Sequence, residues 1–377
     1  LALLFIAFGL RSPKPKTGLN SFKIGLIFII TYLVQAIVGL SIALILIYSF
    51  MPDLFAGIGL LLPLSFGMNP GIAFSIGYSW EEHGFTDGGT VGLAFAAIGF
   101  LVAYSVGMIM VKRGVQAGDA TFTPSENTDN RSAILDHPQS LGSGKLTTSS
   151  DAIESLSLHW SLIGLTYFIT FLVLKGVSLL MSSNGLAHEV STLWSFHFVF
   201  AAIVSLFVRK MIDYFHQGHW IDDTTMTRTG NLYMDFMVVA SISAITLAVV
   251  TAYWLPLLLM GVTTAVATWY VVSKSCENMF ENYQLERKSA IFGNMTGTMQ
   301  SALVLLRVLD PQHKSTVSQE LVYGSGIALV LGFPLLLLIN APVHYFSDVQ
   351  TGFWYVGFAL SIYLILLLGV KKFLLKK

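Results

Sequence analysis

The sequence predicts an all-α polytopic membrane protein with two inverted-topology repeats, each carrying a re-entrant hairpin. Three observations predict this fold class. The chain is 54% hydrophobic and 11% charged, with a mean hydropathy of +0.70, which excludes an ordinary soluble domain. Two apolar stretches too short to cross a bilayer each run into a glycine-punctuated break. With both breaks read as hairpins, the basic residues fall on one side of the membrane.

Eight apolar segments are long enough to cross a hydrocarbon core ~30 Å thick and nearly free of charge. The predicted spans are 22–50, 89–111, 158–182, 192–208, 232–250, 251–273, 321–340 and 352–370. The region 114–157 is rich in Ser, Thr, Asp, Asn, Gly and Pro. Its composition predicts a polar linker.

The two breaks have the same pattern, Gly-x-x-x-Gly with an amide inside. The first runs from Gly67 to Gly71 and the second from Gly293 to Gly297. Broken apolar stretches placed alike in two halves of a chain point to the binding site of a secondary transporter. The alternative is that each glycine pair is a helix-packing face. Pro70 opposes an unbroken helix at the first break, because proline removes a backbone donor.

Charge placement distinguishes hairpins from spans. If both breaks are hairpins, every Lys and Arg except Lys175 lies on one side of the membrane. If both were spans, the same residues would divide equally between the two sides. The positive-inside rule therefore favours hairpins and makes the basic side cytoplasmic. The first hairpin then enters from outside and the second from the cytoplasm, as in an inverted repeat.

This topology divides the chain into four parts. They are a first repeat over 1–113 with its hairpin near 53–80, a cytoplasmic linker over 114–157, a second repeat over 158–341 with its hairpin near 285–306, and an additional helix with a basic tail over 342–377. The first repeat lacks counterparts for two spans and part of a third. We therefore expect about 70 to 80 further N-terminal residues, at ~20 residues per span plus short loops.

Backbone N–H and C=O groups freed at a hairpin tip are predicted to be ligands, because such groups are tolerated within a membrane only inside protein or beside an aqueous cavity. Residues predicted to bind substrate are Ser65, Gly67, Asn69, Gly71, Thr296, Gly297, Thr298, Gln300 and Ser301. Residues predicted to bind the ion are Asn294, Thr296 and Ser65. Neither tip has an ionisable residue, so neutral oxygens are expected to bind Na⁺ as the coupling ion, without another cofactor.

The chain resembles the bacterial sodium/glutamate symporters at low identity over roughly residues 1 to 341. The resemblance is carried by Gly84-Phe85-Thr86-Asp87 with Val91, Ala94 and Ala96 to Val102, by Ser65, Gly67, Gly71 and Ala73, and by Asn282-Tyr283, Gly297, Ala302 and Asn340-Ala341. Departures from the family pattern are Met68 for His, Asn69 for Gly, Pro70 for Thr and Leu337 for Asp. They put the substrate and the coupling ion in question.

The resemblance implies a scaffold domain and a mobile core in which crossed hairpin tips hold substrate and ions. The expected function is elevator-type symport of a small organic anion or amino acid, such as glutamate, with a cation. An ion channel and a proton-coupled carrier remain as alternatives, the latter through Lys175. An enzyme is not expected, since no His-Glu-x-x-His or Gly-x-Ser-x-Gly motif occurs. The expected location is a bacterial inner membrane, with the linker and C-terminus cytoplasmic.

Other polar residues have competing interpretations. Lys175 is interpreted as a snorkelling side chain or a coupling group, and Asp235 as a dipole-favoured charge near a helix start. Arg287 and Arg307 either satisfy the topology or attract an anionic solute. The group His216, His219, Asp213, Asp222 and Asp223 favours a solvated connector over a metal site. Besides solute and Na⁺, the expected partner is the lipid bilayer and not nucleic acid; a homodimer is left open. A single cysteine, Cys276, excludes an internal disulfide.

Overall fold

The computed structural model describes residues 2–12, 18–122, 146–149, 151–183, 190–195, 197–310, 315–346 and 349–374. Within these ranges the chain forms α-helices and short 3₁₀ and π-helical turns, without a β-strand. The helices are α1 Ala2–Gly9, α2 Leu19–Ser49, α3 Pro70–Ser79, α4 Gly88–Ala117, α5 Ser155–Ser183, α6 Val190–Ser195, α7 His197–Tyr214, α8 Asp223–Ser243, α9 Leu247–Ala252, α10 Trp254–Met279, α11 Gln284–Thr296, α12 Met299–Leu309, α13 Val317–Tyr345 and α14 Val349–Leu374. A 3₁₀ turn, Ala56–Leu60, and a π-helical turn, Pro63–Met68, precede α3.

Six helices in the described part of the chain are long and apolar enough to cross a membrane: α2, α4, α5, α10, α13 and α14. This confirms the prediction of a helical membrane protein. Large apolar side chains such as Phe358, Ile365 and Leu366 of α14 are exposed, as expected of a helix that faces lipid. The predicted linker over 114–157 overlaps helices at both ends, since α4 continues to Ala117 and α5 begins at Ser155. Positions 123–145 and 150 of the linker lie outside the described residues.

Two predicted spans differ from the structure. The segment 192–208 falls on α6 and α7, with position 196 outside the described residues. The prediction of one span over 232–250 is wrong, because α8 ends at Ser243 and α9 begins at Leu247 after an extended Thr246. Ser and Thr hydroxyls compete for backbone hydrogen bonds and so favour helix ends. Since α8 begins at Asp223, Asp235 lies mid-helix with its side chain exposed, and its interpretation as a charge near a helix start is also wrong.

Contacts divide the chain into two compact units. Unit 1 contains Leu1–Pro15 and Glu126–Ala240, and unit 2 contains Lys16–Ser125 and Ser241–Lys377. Both predicted repeats contribute to each unit. In unit 2 the order long helix, broken helical segment, long helix occurs twice, first from α2 to α4 and then from α10 to α13.

Helix α2 lies at the centre of unit 2. Of its most apolar window 67% is buried, against 22% for α14. It packs against α10, α13, α14 and the broken segment before α3. Gly39 of α2 and Gly59 of the 3₁₀ turn lie so close that a Cβ on either one would overlap the other's backbone. Only glycine permits this approach of the two backbones.

One end of unit 2, here called the basic end, is defined by Lys23, Arg287, Lys288 and Lys371. Lys23 Nζ donates to the Met279 carbonyl at 2.8 Å, and Lys371 Nζ donates to Ser275 Oγ at 2.9 Å. Leu285 at the start of α11 and Leu309 at the end of α12 share a cluster there with Val111 of α4. The segment formed by α11 and α12 therefore begins and ends at the basic end.

The other end, here called the aromatic end, is defined by Phe55, Trp80, Phe85, Tyr253 and Phe353. The Phe55 ring lies 4.7 Å from the Phe85 ring and 6.0 Å from the Trp80 ring, between ring centroids. Trp80 Nε1 donates to Asn340 Oδ1 at 2.7 Å. Because Phe55 precedes the first broken segment and Trp80 follows α3, this segment begins and ends at the aromatic end.

Helix α4 connects the two ends, since Phe85 precedes its first residue and Val111 lies near its last turn. From Gly88 to Val111 a helix rises about 35 Å, at 1.5 Å per residue. The two broken segments therefore approach the middle of unit 2 from opposite ends.

We predict that the two ends of unit 2 label from opposite sides of a membrane. Cysteines replacing the exposed residues Thr86 and Glu281, in a Cys276→Ser background, report on the aromatic and basic ends. In intact cells a membrane-impermeant maleimide should label Thr86→Cys, and it should label Glu281→Cys only after permeabilisation. Labelling of both variants in intact cells would contradict the topology. Labelling of Glu281→Cys in intact cells, and of Thr86→Cys only after permeabilisation, would show that the orientation in the membrane is the opposite one.

Candidate binding site at the two helix breaks

The first break lies between the π-helical turn and α3. Asn69 is extended, with φ −172° and ψ 136°, and its Oδ1 accepts a hydrogen bond of 2.8 Å from the Gly71 N–H. Pro70, the first residue of α3, has no N–H. The Asn69 N–H donates to the Leu64 carbonyl at 2.8 Å, so the carbonyls of Ser65 and Phe66 lose the donors at Asn69 and Pro70 that a continuous α-helix would supply.

The second break separates α11 from α12. Gly297 has φ −146° and ψ −108°, and Thr298 has φ −144° and ψ 177°, so both residues lie outside the helices. The two helices pack closely, since a Cβ on Gly293 would lie 2.9 Å from the Leu305 side chain. Thr298 is 2% exposed, and its Oγ1 has no hydrogen-bond partner among the described residues. A buried polar atom in this state costs free energy unless a ligand or water pairs with it.

A single turn of α2 binds the backbone of both breaks. Tyr32 Oη donates to the Gly67 carbonyl at 3.0 Å, and Gln35 Nε2 donates to the Met295 carbonyl at 2.8 Å. Gln35 Nε2 also donates to Thr268 Oγ1 of α10 at 2.9 Å. Both α2 residues lie near the middle of this helix, so the carbonyls are bound far from either end.

The same two breaks meet α4 at Gly99, midway between its aromatic and basic ends. A Cβ on Gly99 would overlap the Thr296 carbonyl oxygen and lie 3.5 Å from the Phe66 ring. The π-helical turn also packs directly against α11. The site at which α2, α4, α10 and the two breaks converge is here called the junction.

The predicted site residues are all buried or half-buried at the two breaks. Buried are Ser65, Gly67, Asn69, Asn294, Thr296, Gly297, Thr298 and Ser301, and half-buried are Gly71 and Gln300. Ser65 Oγ donates to the Leu61 carbonyl at 2.6 Å and Thr296 Oγ1 to the Phe292 carbonyl at 2.8 Å. Each hydroxyl keeps lone pairs available for a ligand. Ser301 Oγ bonds Tyr104 Oη of α4 at 3.3 Å.

Sequence reasoning missed the residues of the long helices that complete the junction. These are Tyr32, Gln35, Gly99 and Thr268. One signal was available, since Gln35 is the only amide within the apolar stretch 22–50. Polar residues inside membrane spans are costly and are functional by default. No pattern marks Gly99, because its importance depends on which carbonyl reaches it.

Two described cavities lie at the basic end and not at the junction. One, of about 300 Å³, is lined by residues 18–21 and by Thr316, Gln319, Glu320 and Tyr323. The other, of about 660 Å³, is lined by Asp119, Thr121 and residues between Cys276 and Lys288. At the junction, Gly67 lies against the Tyr32 ring and Gly99 against the Thr296 carbonyl, so neither position has room for a Cβ.

Arg287 is already paired. Its Nε lies 2.9 Å from Glu320 Oε2, its Nη2 lies 2.9 Å from Oε1, and its guanidinium stacks 4.6 Å from the Phe280 ring centre. Asn20 Nδ2 also donates to Glu320, at 3.2 Å. Glu320 compensates the charge of the buried Arg287, and through Glu320 these contacts connect α11 and α2 with α13 in this conformation. Arg307 is exposed.

The remaining candidates lie in unit 1. Lys175 on α5 is exposed. Asp213 pairs with Arg209 at 2.9 Å, and Asp223 Oδ1 accepts from the Ser12 N–H at 2.7 Å. The Asp222 N–H donates to His159 Nε2 at 2.9 Å. The last two contacts join the residues after α1 and helix α5 to the start of α8, which is a structural role.

Comparison with known proteins finds no matching family model, no matching curated protein and no matching solved structure. The resemblance to sodium/glutamate symporters therefore stays a prediction. A functional conclusion depends on the geometry of the junction.

We predict that Gly99→Ala destabilises the protein, because the new Cβ overlaps the Thr296 carbonyl and forces α4 away from the second break. The expected loss is about 1–3 kcal/mol, as for other overpacked sites. Gly326→Ala in α13 is the matched control, since nothing lies within 4 Å of a Cβ there. Thermal unfolding of the purified variants in detergent measures both. An equal effect of the two substitutions would show that Gly99 is not a point of close contact.

Proposed function

We propose that this chain is a secondary active transporter that binds a small organic anion or amino acid, together with Na⁺, at the junction. The observation that carries the proposal is the meeting of two helix breaks, which approach from opposite ends, at the midpoint of α4. Broken helices that meet at mid-membrane depth provide the unpaired backbone groups that transporters use as ligands. Re-entrant hairpins and inverted repeats are part of this proposal.

Charge at the junction supports an anionic group on the solute. The N-terminus of α3 lies at the first break and that of α12 at the second, and helix N-termini carry partial positive charge. Residues 65–71 and 293–301 contain no ionisable side chain. The dipoles are therefore not neutralised by a carboxylate within the breaks. A carboxylate of an amino acid or dicarboxylic acid has the complementary charge.

Oxygen atoms at the same place support a hard cation. Carbonyls freed at the first break and hydroxyls of Ser65, Thr296 and Thr298 are the ligand types that Na⁺ accepts. Proton coupling would require a titrating group, and the intramembrane candidate Lys175 is exposed on α5 in unit 1. Elevator-type alternating access, in which the body that holds the site moves as a whole, is compatible with the location of both breaks in unit 2.

Uptake by the purified full chain in liposomes tests the proposal. We expect saturable accumulation of at least one member of a panel of amino and dicarboxylic acids when a Na⁺ gradient is imposed. Accumulation driven by a pH gradient without Na⁺ would favour a proton-coupled carrier. Non-saturating ion flux would indicate a channel, and absence of any flux would contradict transport.

We further predict that Thr298→Val impairs uptake without loss of stability. Its Oγ1 lacks a protein partner among the described residues, so an isosteric methyl group removes a buried unpaired polar atom and should leave the unfolding temperature equal or higher. Uptake should fall because a ligand oxygen is lost at the second break. Thr263→Val, at an exposed residue of α10, is the control and should transport normally. Normal uptake by Thr298→Val would exclude this hydroxyl from the site.

A further inference from the structure

Gln35 has an orphan oxygen at the centre of unit 2. Its side chain is 0% exposed, and its Oε1 has no hydrogen-bond partner among the described residues. The other half of the same amide is fully used, since Nε2 donates to the Met295 carbonyl at 2.8 Å and to Thr268 Oγ1 at 2.9 Å. Buried polar atoms in native proteins are nearly always paired, so an unpaired one calls for an explanation.

The orientation of the amide is set by its neighbours. A backbone carbonyl only accepts hydrogen bonds, so the group that faces Met295 must be the NH₂ group. Turning the amide over would place two acceptor oxygens against each other. The oxygen therefore points away from the second break.

Oε1 instead faces the first break. A Cβ on Gly67 would lie 3.2 Å from it, which places the oxygen against the backbone of the π-helical turn. The carbonyls of Ser65 and Phe66 in this turn lack helical donors because of Pro70 and the cap formed by Asn69. On α10, one turn from Thr268, Thr264 is 0% exposed and its Oγ1 is also unpartnered in the described part of the chain.

This arrangement has many acceptors and few donors, which is the chemistry of a site for a small cation. Amide and backbone carbonyl oxygens are ligands for hard cations. The two donations from Nε2 hold Oε1 in place, and in metal sites such orienting contacts are as important as the ligands themselves.

We propose that Gln35 Oε1 is a ligand of the coupling cation, Na⁺, at the junction. Calling Na⁺ the coupling cation rests on the proposed function, because coupling presupposes transport. Binding of Na⁺ itself can be measured without transport. Gln35 would then connect the ion to both breaks, since its oxygen faces the first and its nitrogen binds the second.

Equilibrium binding of radioactive ²²Na⁺ to the purified full chain in detergent tests the proposal, with choline chloride holding ionic strength constant. Gln35→Met keeps the length of the side chain and removes the oxygen, and it should weaken Na⁺ binding by about tenfold or more. Thr263→Val is the matched control: it removes a hydroxyl at an exposed residue of α10 that donates to the Leu259 carbonyl and not to Gln35, so it should bind Na⁺ within about threefold of the unmodified chain, because substitutions of exposed residues away from a site have small effects.

A second variant keeps the test decisive if Gln35→Met does not fold. In Gln35→Glu a proton competes with Na⁺ for the new carboxyl group, so binding should strengthen as pH rises, whereas the unmodified chain should show a smaller dependence. Unchanged Na⁺ affinity in Gln35→Met, or a pH response in Gln35→Glu equal to that of the unmodified chain, would overturn the proposal.

Three further outcomes separate this inference from the proposed function. Failure of the unmodified chain to bind Na⁺ would overturn the cation site even if liposomes accumulate solute under another gradient. Loss of amino-acid binding with intact Na⁺ binding in Gln35→Met would assign Oε1 to a solute ammonium group instead. Absence of all transport with Gln35-dependent Na⁺ binding would leave the ion site standing and reject the transporter.

Discussion

The structure of unit 2 depends on one constraint: a helix broken inside an apolar layer frees backbone groups that water cannot reach there. Tyr32 and Gln35 supply donors to the carbonyls of Gly67 and Met295, and Gly99 lets the Thr296 carbonyl lie against α4. The helices around the breaks are therefore more than a framework. They satisfy some of the freed groups and leave others available, and this division determines which atoms can bind a ligand.

The sequence predicted those parts of the fold that local patterns determine. Apolar length located six spans, and Pro70 with the paired glycines located both breaks to within a few residues. It failed where the pattern was ambiguous: the run from Leu232 to Val250 is continuously apolar, yet Ser and Thr residues allow a helix end at Ser243. Hydropathy measures transfer into lipid and does not detect competition for backbone hydrogen bonds.

For the junction, sequence located the breaks but not their partners. Every residue predicted from the two tips is buried or half-buried at a break, because tip position follows from chain order. Tyr32, Thr268 and Gly99 were missed because their roles arise from contacts between segments distant in sequence, such as the 35 positions between Tyr32 and Gly67 and the 233 between Gln35 and Thr268. Such pairings depend on tertiary packing. The sequence named Arg287 as a candidate, but it did not identify the partner Glu320, because no spacing pattern links the two residues.

The attachment of both breaks to one turn of α2 has a mechanical consequence. Tyr32 and Gln35 are three residues apart on a rigid helix, so the carbonyls they bind are held at a nearly constant separation. A displacement of one tip is transmitted through this turn of α2 to the other tip. The two tips therefore move together and do not separate from each other. If the junction binds a ligand as proposed, access to it requires displacement of the two tips together with α2, or rupture of at least one of these two hydrogen bonds.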